Sequence, residues 1–223
     1  LTIVEIPRPQ FAFTWSIVDD CATCNGDGLV QRGEDVGVIL DVTNVGTGKA
    51  MDVFSSVRNA SDANIFIEKG RFKLGELAPG ETKSSRFQLE VKKGFKDETF
   101  ALRYAVIDEP LQEFTADKLE IPVAADTAAF NFAANKATSR LADKADLYAD
   151  VTGKRVLARL PKGAVVTEQG RAGNMARLEW EPNRFLFARV SDLRDAKGQK
   201  AAPVKDAVWT NFLSPLLWDV FAV

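Results

Sequence analysis

Histidine is absent from this chain, and that absence removes more chemistry than any residue present supplies. Without it, no Ser-His-Asp or Cys-His nucleophile pair and no imidazole-ligated metal centre can be assembled. Cysteine is nearly absent too. Cys21 and Cys24 are the whole supply, too few thiolates for a structural zinc site. Neither sign of charge dominates: 29 basic and 31 acidic residues leave a formal net charge of -2, with no global attraction for nucleic acid or an anionic membrane. No apolar run approaches the length of a membrane span. Leu1 opens the chain without a charged-then-apolar leader, and the expectation is a piece of something longer.

What is present is a hydrophobic content of 46% over 223 residues, enough for one large or two ordinary domains. The densest local signal is Asp19-Asp20-Cys21-Ala22-Thr23-Cys24-Asn25-Gly26-Asp27-Gly28, followed by Arg32-Gly33-Glu34. Hard cations need oxygen ligands on a backbone that turns sharply, so Asp19, Asp20, Asn25, Asp27 and Glu34 are candidate calcium ligands. The spacing does not match an EF-hand. The competing reading is a solvated turn whose Asp and Asn side chains cap their own backbone. Carboxylates beside Cys21 and Cys24 would raise a thiol pKa, which opposes redox catalysis and favours a short disulfide stapling the loop in an oxidising compartment.

From residue 10 to 123 the period is that of half-buried strands. Phe11, Phe13, Trp15 and Ile17 alternate, then Val36, Val38, Leu40 and Val42, then Phe87, Leu89 and Val91, then Phe100, Leu102, Tyr104 and Val106. Pro79-Gly80 marks a turn between two of these runs. Seven or eight short strands predict an antiparallel Ig-like β-sandwich over residues 8–124, with Trp15 as a buried structural tryptophan. Residues 125–144 turn Ala-rich and polar and read as a linker, with room for a short helix or an added strand. Short strands return after 145, and five of them in about fifty residues predict a small closed barrel at 145–196. Residues 197–223 carry Trp209, Phe212, Leu213, Leu216, Leu217, Trp218 and Phe221, an apolar set expected to pack on the domains rather than face water.

Other candidates are weaker. Asp108, Glu109 and Asp117 are acids near strand ends that could serve glycoside hydrolysis, though exposed acids at strand ends are common. Arg58, Lys69, Arg71 and Lys73 interleave with Phe66 and Phe72 as on a single-strand nucleic-acid surface, but both rings are expected to point into the core. Tyr148, Trp180, Phe185 and Phe187 could line an aromatic groove of the small barrel, or form its core.

Asn25-Gly26-Asp27-Gly28, Gly33-Glu34, the strand ending Asp41-Val42-Thr43-Asn44-Val45-Gly46 and Leu77-Ala78-Pro79-Gly80-Glu81 resemble the CARDB-type adhesion modules of bacterial secreted proteins. Arg32 stands where that family usually has Pro, and Cys21 and Cys24 are additions. Leu147-Tyr148-Ala149, Leu160-Pro161-Lys162-Gly163 and Phe187-Ala188-Arg189-Val190 with Leu193 resemble a bacterial Src-homology-3-like domain. Sandwich followed by barrel is similar to the non-catalytic C-terminal region of bacterial carboxy-terminal processing (tail-specific) proteases, whose Ser-Lys motif is not in this sequence. These resemblances imply an all-β protein of the periplasm or extracellular space. They imply a non-catalytic accessory region that holds a protein or cell-envelope partner, in a parent that could be a serine protease. A calcium-dependent adhesion module and an enzyme using the acids or the CxxC are the alternatives. No nucleic-acid partner and no membrane span are expected.

Overall fold

The structure, a computed structural model, describes residues 6–19, 24–125, 137–181, 184–201 and 208–209. These residues form antiparallel strands and one 3-10 turn at Val190–Asp192; no α-helix occurs among them, and none is long and apolar enough to cross a membrane. The chain divides into two compact units. Residues 6–17 and 30–125 belong to the first; 18–29 and the described residues from 137 to 209 belong to the second.

The first unit contains β1 (Phe11–Val18, up to Ile17), β2 (Glu34–Asn44), β3 (Ala50–Asn59), β4 (Ile65–Ile67), β5 (Arg71–Leu77), β6 (Thr82–Val91), β7 (Thr99–Asp108) and β8 (Glu113–Pro122). They make two four-stranded sheets, β1-β2-β6-β4 and β5-β3-β7-β8, around one shared core. The alternation predicts which side chains enter it: Val36, Val38, Leu40 and Val42 of β2 and Phe87, Leu89 and Val91 of β6 are fully buried. Each large apolar side chain removed from water contributes about 1.5–3 kcal/mol. Phe72 meets Phe87 edge-on, with ring centroids 5.0 Å apart. Trp15 is half-buried against the core rather than enclosed by it.

Two local devices fix the strand connections. At Pro79-Gly80, Gly80 has φ +79° and the Glu81 amide donates to the Ala78 carbonyl at 3.0 Å, a type II turn in which Pro presets the first central residue. Arg32, the departure from the CARDB pattern, donates to the carbonyls of Phe95, Lys96 and Asp97 and so ties down the loop before β7.

The second unit is one eight-stranded antiparallel sheet. Its strands are β9 (Ala137–Leu141), β10 (Ala145–Tyr148), β11 (Val156–Leu160), β12 (Val165–Ala172), β13 (Met175–Glu181), β14 (Arg184–Arg189), β15 (Leu193–Asp195) and β16 (Val208–Trp209), in the order β15-β9-β12-β13-β14-β10-β11-β16. Within the stretch read as linker the added strand is the option taken: β9 pairs with both β12 and β15. The sheet is not closed among the described residues, since its end strands β15 and β16 do not pair with each other. The apolar segment expected to pack across the domains lies almost entirely outside the described residues.

Candidate functional site

The acidic turn belongs to the second unit up to Leu29. Its side chains are occupied by its own backbone. Asn25 Oδ1 accepts the Asp27 amide at 2.9 Å and Asp27 Oδ1 accepts the Leu29 amide at 2.8 Å, two successive Asx turns, while Asn25 Nδ2 donates to Asp27 Oδ2 at 3.1 Å. Asp19 Oδ2 accepts the Gly28 amide at 3.0 Å. Asp19 and Asp27 are buried, not solvated as an exposed turn would be. Glu34 lies in the first unit, where it opens β2 and accepts the Gln31 amide at 3.1 Å. Asp20 and Cys21 lie outside the described residues, so the Cys21–Cys24 pairing stays an expectation.

The turn is seated on the sheet of the second unit. The Asp27 carbonyl accepts the Val151 amide at 2.8 Å, and Arg177 Nη2 donates to the Asp19 carbonyl at 2.9 Å. Arg177 is buried, with its guanidinium 3.7 Å from the Phe185 ring centroid. Along β13 the side chains of Ala176, Leu178 and Trp180 join one cluster, while Met175 joins Tyr148 and Phe187 in another. Arg177 shares the Met175 side by strand period.

Asp19 Oδ1 is buried without a hydrogen-bond partner. Burial raises the Asp19 carboxyl from its ordinary value of 3.8, with the Gly28 and Gly26 amides and Arg177 opposing and Asp27 adding to the rise. A carboxyl that holds its proton more tightly when folded supports the fold fully below its unfolded pKa and loses that support as pH rises through its folded pKa. Asp19→Asn keeps an oxygen for the Gly28 amide and removes the titration. It should flatten the fall in stability that begins above about pH 4 and leave the variant the more stable protein once the wild-type carboxyl has ionised. Urea titrations across that fall check this; an unchanged pH slope would refute it.

The aromatic set divides. Tyr148 and Phe187 are buried beside Met175, so they build core rather than an open groove; Trp180 packs against the other cluster, and Phe185 is half-buried under Arg177. Tyr148 alone of the four also lines an open cleft, of about 530 Å³, shared with Lys144, Asp146, Arg159, Arg189 and Asp192. Sequence reasoning missed these five charged residues, because they are dispersed over β10, β11, β14 and two connections. Asp146 and Arg159 face each other across the β10–β11 pair and form an ion pair. Asp146 thereby raises the Arg159 pKa above its ordinary value. Arg189 lies 5.6 Å from the Tyr148 ring centroid, and Ser191 Oγ donates to Asp192 Oδ1 at 3.1 Å. The cleft thus presents three cations and two carboxylates at fixed places, an arrangement suited to a ligand bearing both signs of charge.

Two of the acids near strand ends are held by neighbouring groups. Asp108 is fully buried, and its carboxylate accepts the Met51 and Asp52 amides where β3 bulges; Glu109 pairs with Arg71. Of the two rings expected in the core, Phe72 packs there, whereas Phe66 is 51% exposed because β4 alternates it outward from Ile65.

No family model matches this sequence, and no curated protein matches it. Among solved structures, one described as AvmM, which catalyses macrocyclization in alchivemycin A biosynthesis, is similar over 53% of this chain and 92% of its own, at 10% identity and a TM-score of 0.35. A FixG-related protein from Vibrio parahaemolyticus is similar over 51% of this chain and 97% of its own, at 10% identity and a TM-score of 0.32. Likenesses this distant carry no functional argument, and the candidate site rests on its own geometry.

Proposed function

We propose that this chain is a non-catalytic binding region of an exported bacterial protein, an Ig-like sandwich followed by a Src-homology-3-like domain, accessory to a catalytic parent such as a protease. Its partner is a peptide or cell-envelope ligand bearing both signs of charge. The supporting observation is the cleft of the second unit, lined by Lys144, Asp146, Arg159, Asp192 and Tyr148, with Arg189 over the Tyr148 ring. Fixed charges of both signs on a sheet select the ends and side chains of a zwitterionic peptide, and a few such anchors carry most of the affinity. Titrating the ¹⁵N-labelled protein with soluble stem-peptide fragments of cell wall should move the amides of Lys144, Tyr148 and Arg189. Arg189→Ala should weaken that binding about tenfold, the effect of losing one charge-assisted contact. No saturable shift, or an equal affinity in the variant, sinks this reading.

The orphaned Asp19 oxygen favours a second reading, a calcium-dependent adhesion module, in which Asp19 would be one ligand. Calcium would then raise the melting temperature over that in chelator, and Asp19→Asn would abolish the difference. A melting temperature indifferent to calcium removes it.

A further inference from the structure

The outward face of the β5-β3-β7-β8 sheet carries a pattern that the strand registers alone produce. Three consecutive outward positions of β3, β7 and β8 line up as three cross-strand rows. Phe54 pairs with Ile107 and Ile107 with Phe114; Ser56 pairs with Ala105 and Ala105 with Ala116; Arg58 pairs with Arg103 and Arg103 with Lys118. The first row is apolar; Phe114 is 71% exposed and Ile107 36% exposed, while Phe54 is half-buried with Arg71 and Lys73 over its ring. The second row is of small residues. The third is entirely cationic and exposed.

Like charges directly opposite on neighbouring strands destabilise a sheet, so three in a row is a local cost without a structural return. The neighbouring cations do not share this exposure to like charge. Arg71 pairs with Glu109 and Lys73 with Asp52, and both stack on Phe54, at 4.1 and 5.4 Å from the ring centroid. Lys118 has Glu120 at 2.8 Å. The Arg58 and Arg103 side chains have no hydrogen bond or ion pair among the described residues. Two free guanidiniums and an apolar ridge therefore flank a floor of Ser56, Ala105 and Ala116.

Strand geometry sets the dimensions. Rows two residues apart lie about 7 Å from each other, so the apolar and cationic ridges stand about 13 Å apart. A helix with its side chains is about 10–12 Å across, so one lying over the floor reaches both ridges with its side chains. We infer that this face docks an amphipathic helix of a partner protein, with apolar residues along one flank, set on Ile107 and Phe114, and carboxylates along the other, set on Arg58 and Arg103. The small floor admits the helix backbone closely, and the acidic flank relieves the repulsion within the cationic row.

The surface is separate from the cleft of the second unit, so either proposal can fail alone. The test uses the full chain and a fluorescein-labelled 18-residue peptide with a Leu stripe at helical spacing and Glu on one adjoining flank. Fluorescence anisotropy should give saturable binding that weakens from 50 to 250 mM NaCl, as expected for exposed charges. The Arg58→Glu/Arg103→Glu pair should weaken it tenfold or more, and Phe114→Ala about fivefold. A scrambled peptide of equal composition should bind at least tenfold less tightly. The single Arg103→Glu change should meanwhile raise the melting temperature by about 2–4 °C, since it puts opposite charges in register with both neighbours. The inference is overturned by equal binding of the scrambled peptide or by unchanged affinity in the variants. It is overturned equally by a lowered melting temperature in Arg103→Glu. Tighter binding of oligo-dT or of phosphatidylglycerol vesicles than of the peptide also overturns it and assigns the face to a different kind of partner.

Discussion

Asn44→Ala should destabilise the first unit by about 3–5 kcal/mol, more than loss of most single apolar side chains on its surface. The residue is fully buried at the end of β2, and its side chain is saturated. Oδ1 accepts the amides of Gln10 and Gly46 at 3.2 and 3.0 Å, and Nδ2 donates to the carbonyls of Gly48 and Leu77 at 2.8 and 3.1 Å. Alanine would take this partner from two part-buried amides and from two carbonyls whose bonds are fully buried. Each such group costs about 1–3 kcal/mol, and local relaxation recovers part of the total. Asn44→Asp should be no better. It keeps the acceptor but aims a carboxylate at two carbonyl oxygens. Urea denaturation followed by circular dichroism gives the cost, and hydrogen exchange locates it at the β2 end and the 44–50 turn. A loss below about 1 kcal/mol would show that this side chain is not the knot that the geometry makes it.

Gly28→Ala should cost about 2–4 kcal/mol, confined to the second unit. Gly28 has φ +80°, a conformation that an L side chain adopts at a cost of about 1–2 kcal/mol. The added Cβ would also lie 2.7 Å from the Ala149 carbonyl oxygen and 2.7 Å from Phe187 Cε2. One obstacle is backbone and the other is a ring in the core, so neither yields cheaply. Gly80→Ala is the control. It has φ +79° with nothing within 4 Å of the new Cβ, and should show the conformational part alone, about 1 kcal/mol. Equal costs at the two glycines would mean that the acidic turn is not pressed onto the sheet. A larger loss at Gly28, with exchange protection lost around Val151, is the expected result.

These two residues mark how far local sequence could be read. Asn44-Val45-Gly46 and Asn25-Gly26-Asp27-Gly28 stand out as turn chemistry from composition alone. The first indeed satisfies its own neighbours, through the Gly46 amide and the Gly48 carbonyl. Its bonds to Gln10 and Leu77 are long-range and carry no local signature. The second reads as a set of oxygen ligands for a cation or as a solvated turn capping its own backbone. The capping is present at the Asp27 and Leu29 amides, but Asp27 is buried rather than solvated, because strands more than a hundred residues later supply the surface beneath it. Phe66 shows the reverse error. Its ring suggests core, but a three-residue strand turns it to solvent.

By itself the sequence determined the all-β character, the positions of the long strands and the Pro79-Gly80 turn, because side-chain alternation and fixed φ preferences act within a few residues. It also determined that no imidazole chemistry is available. Only the tertiary structure decided that β9 joins the second sheet, that Tyr148 and Phe187 become core, and that five charged residues converge on one cleft. The same holds for the alignment of Arg58 with Arg103 and Lys118, since a one-residue change of register would send alternate side chains to the other face. Register and sheet neighbours are set by apolar surfaces meeting across long stretches of chain. No window of sequence contains both partners of such a meeting.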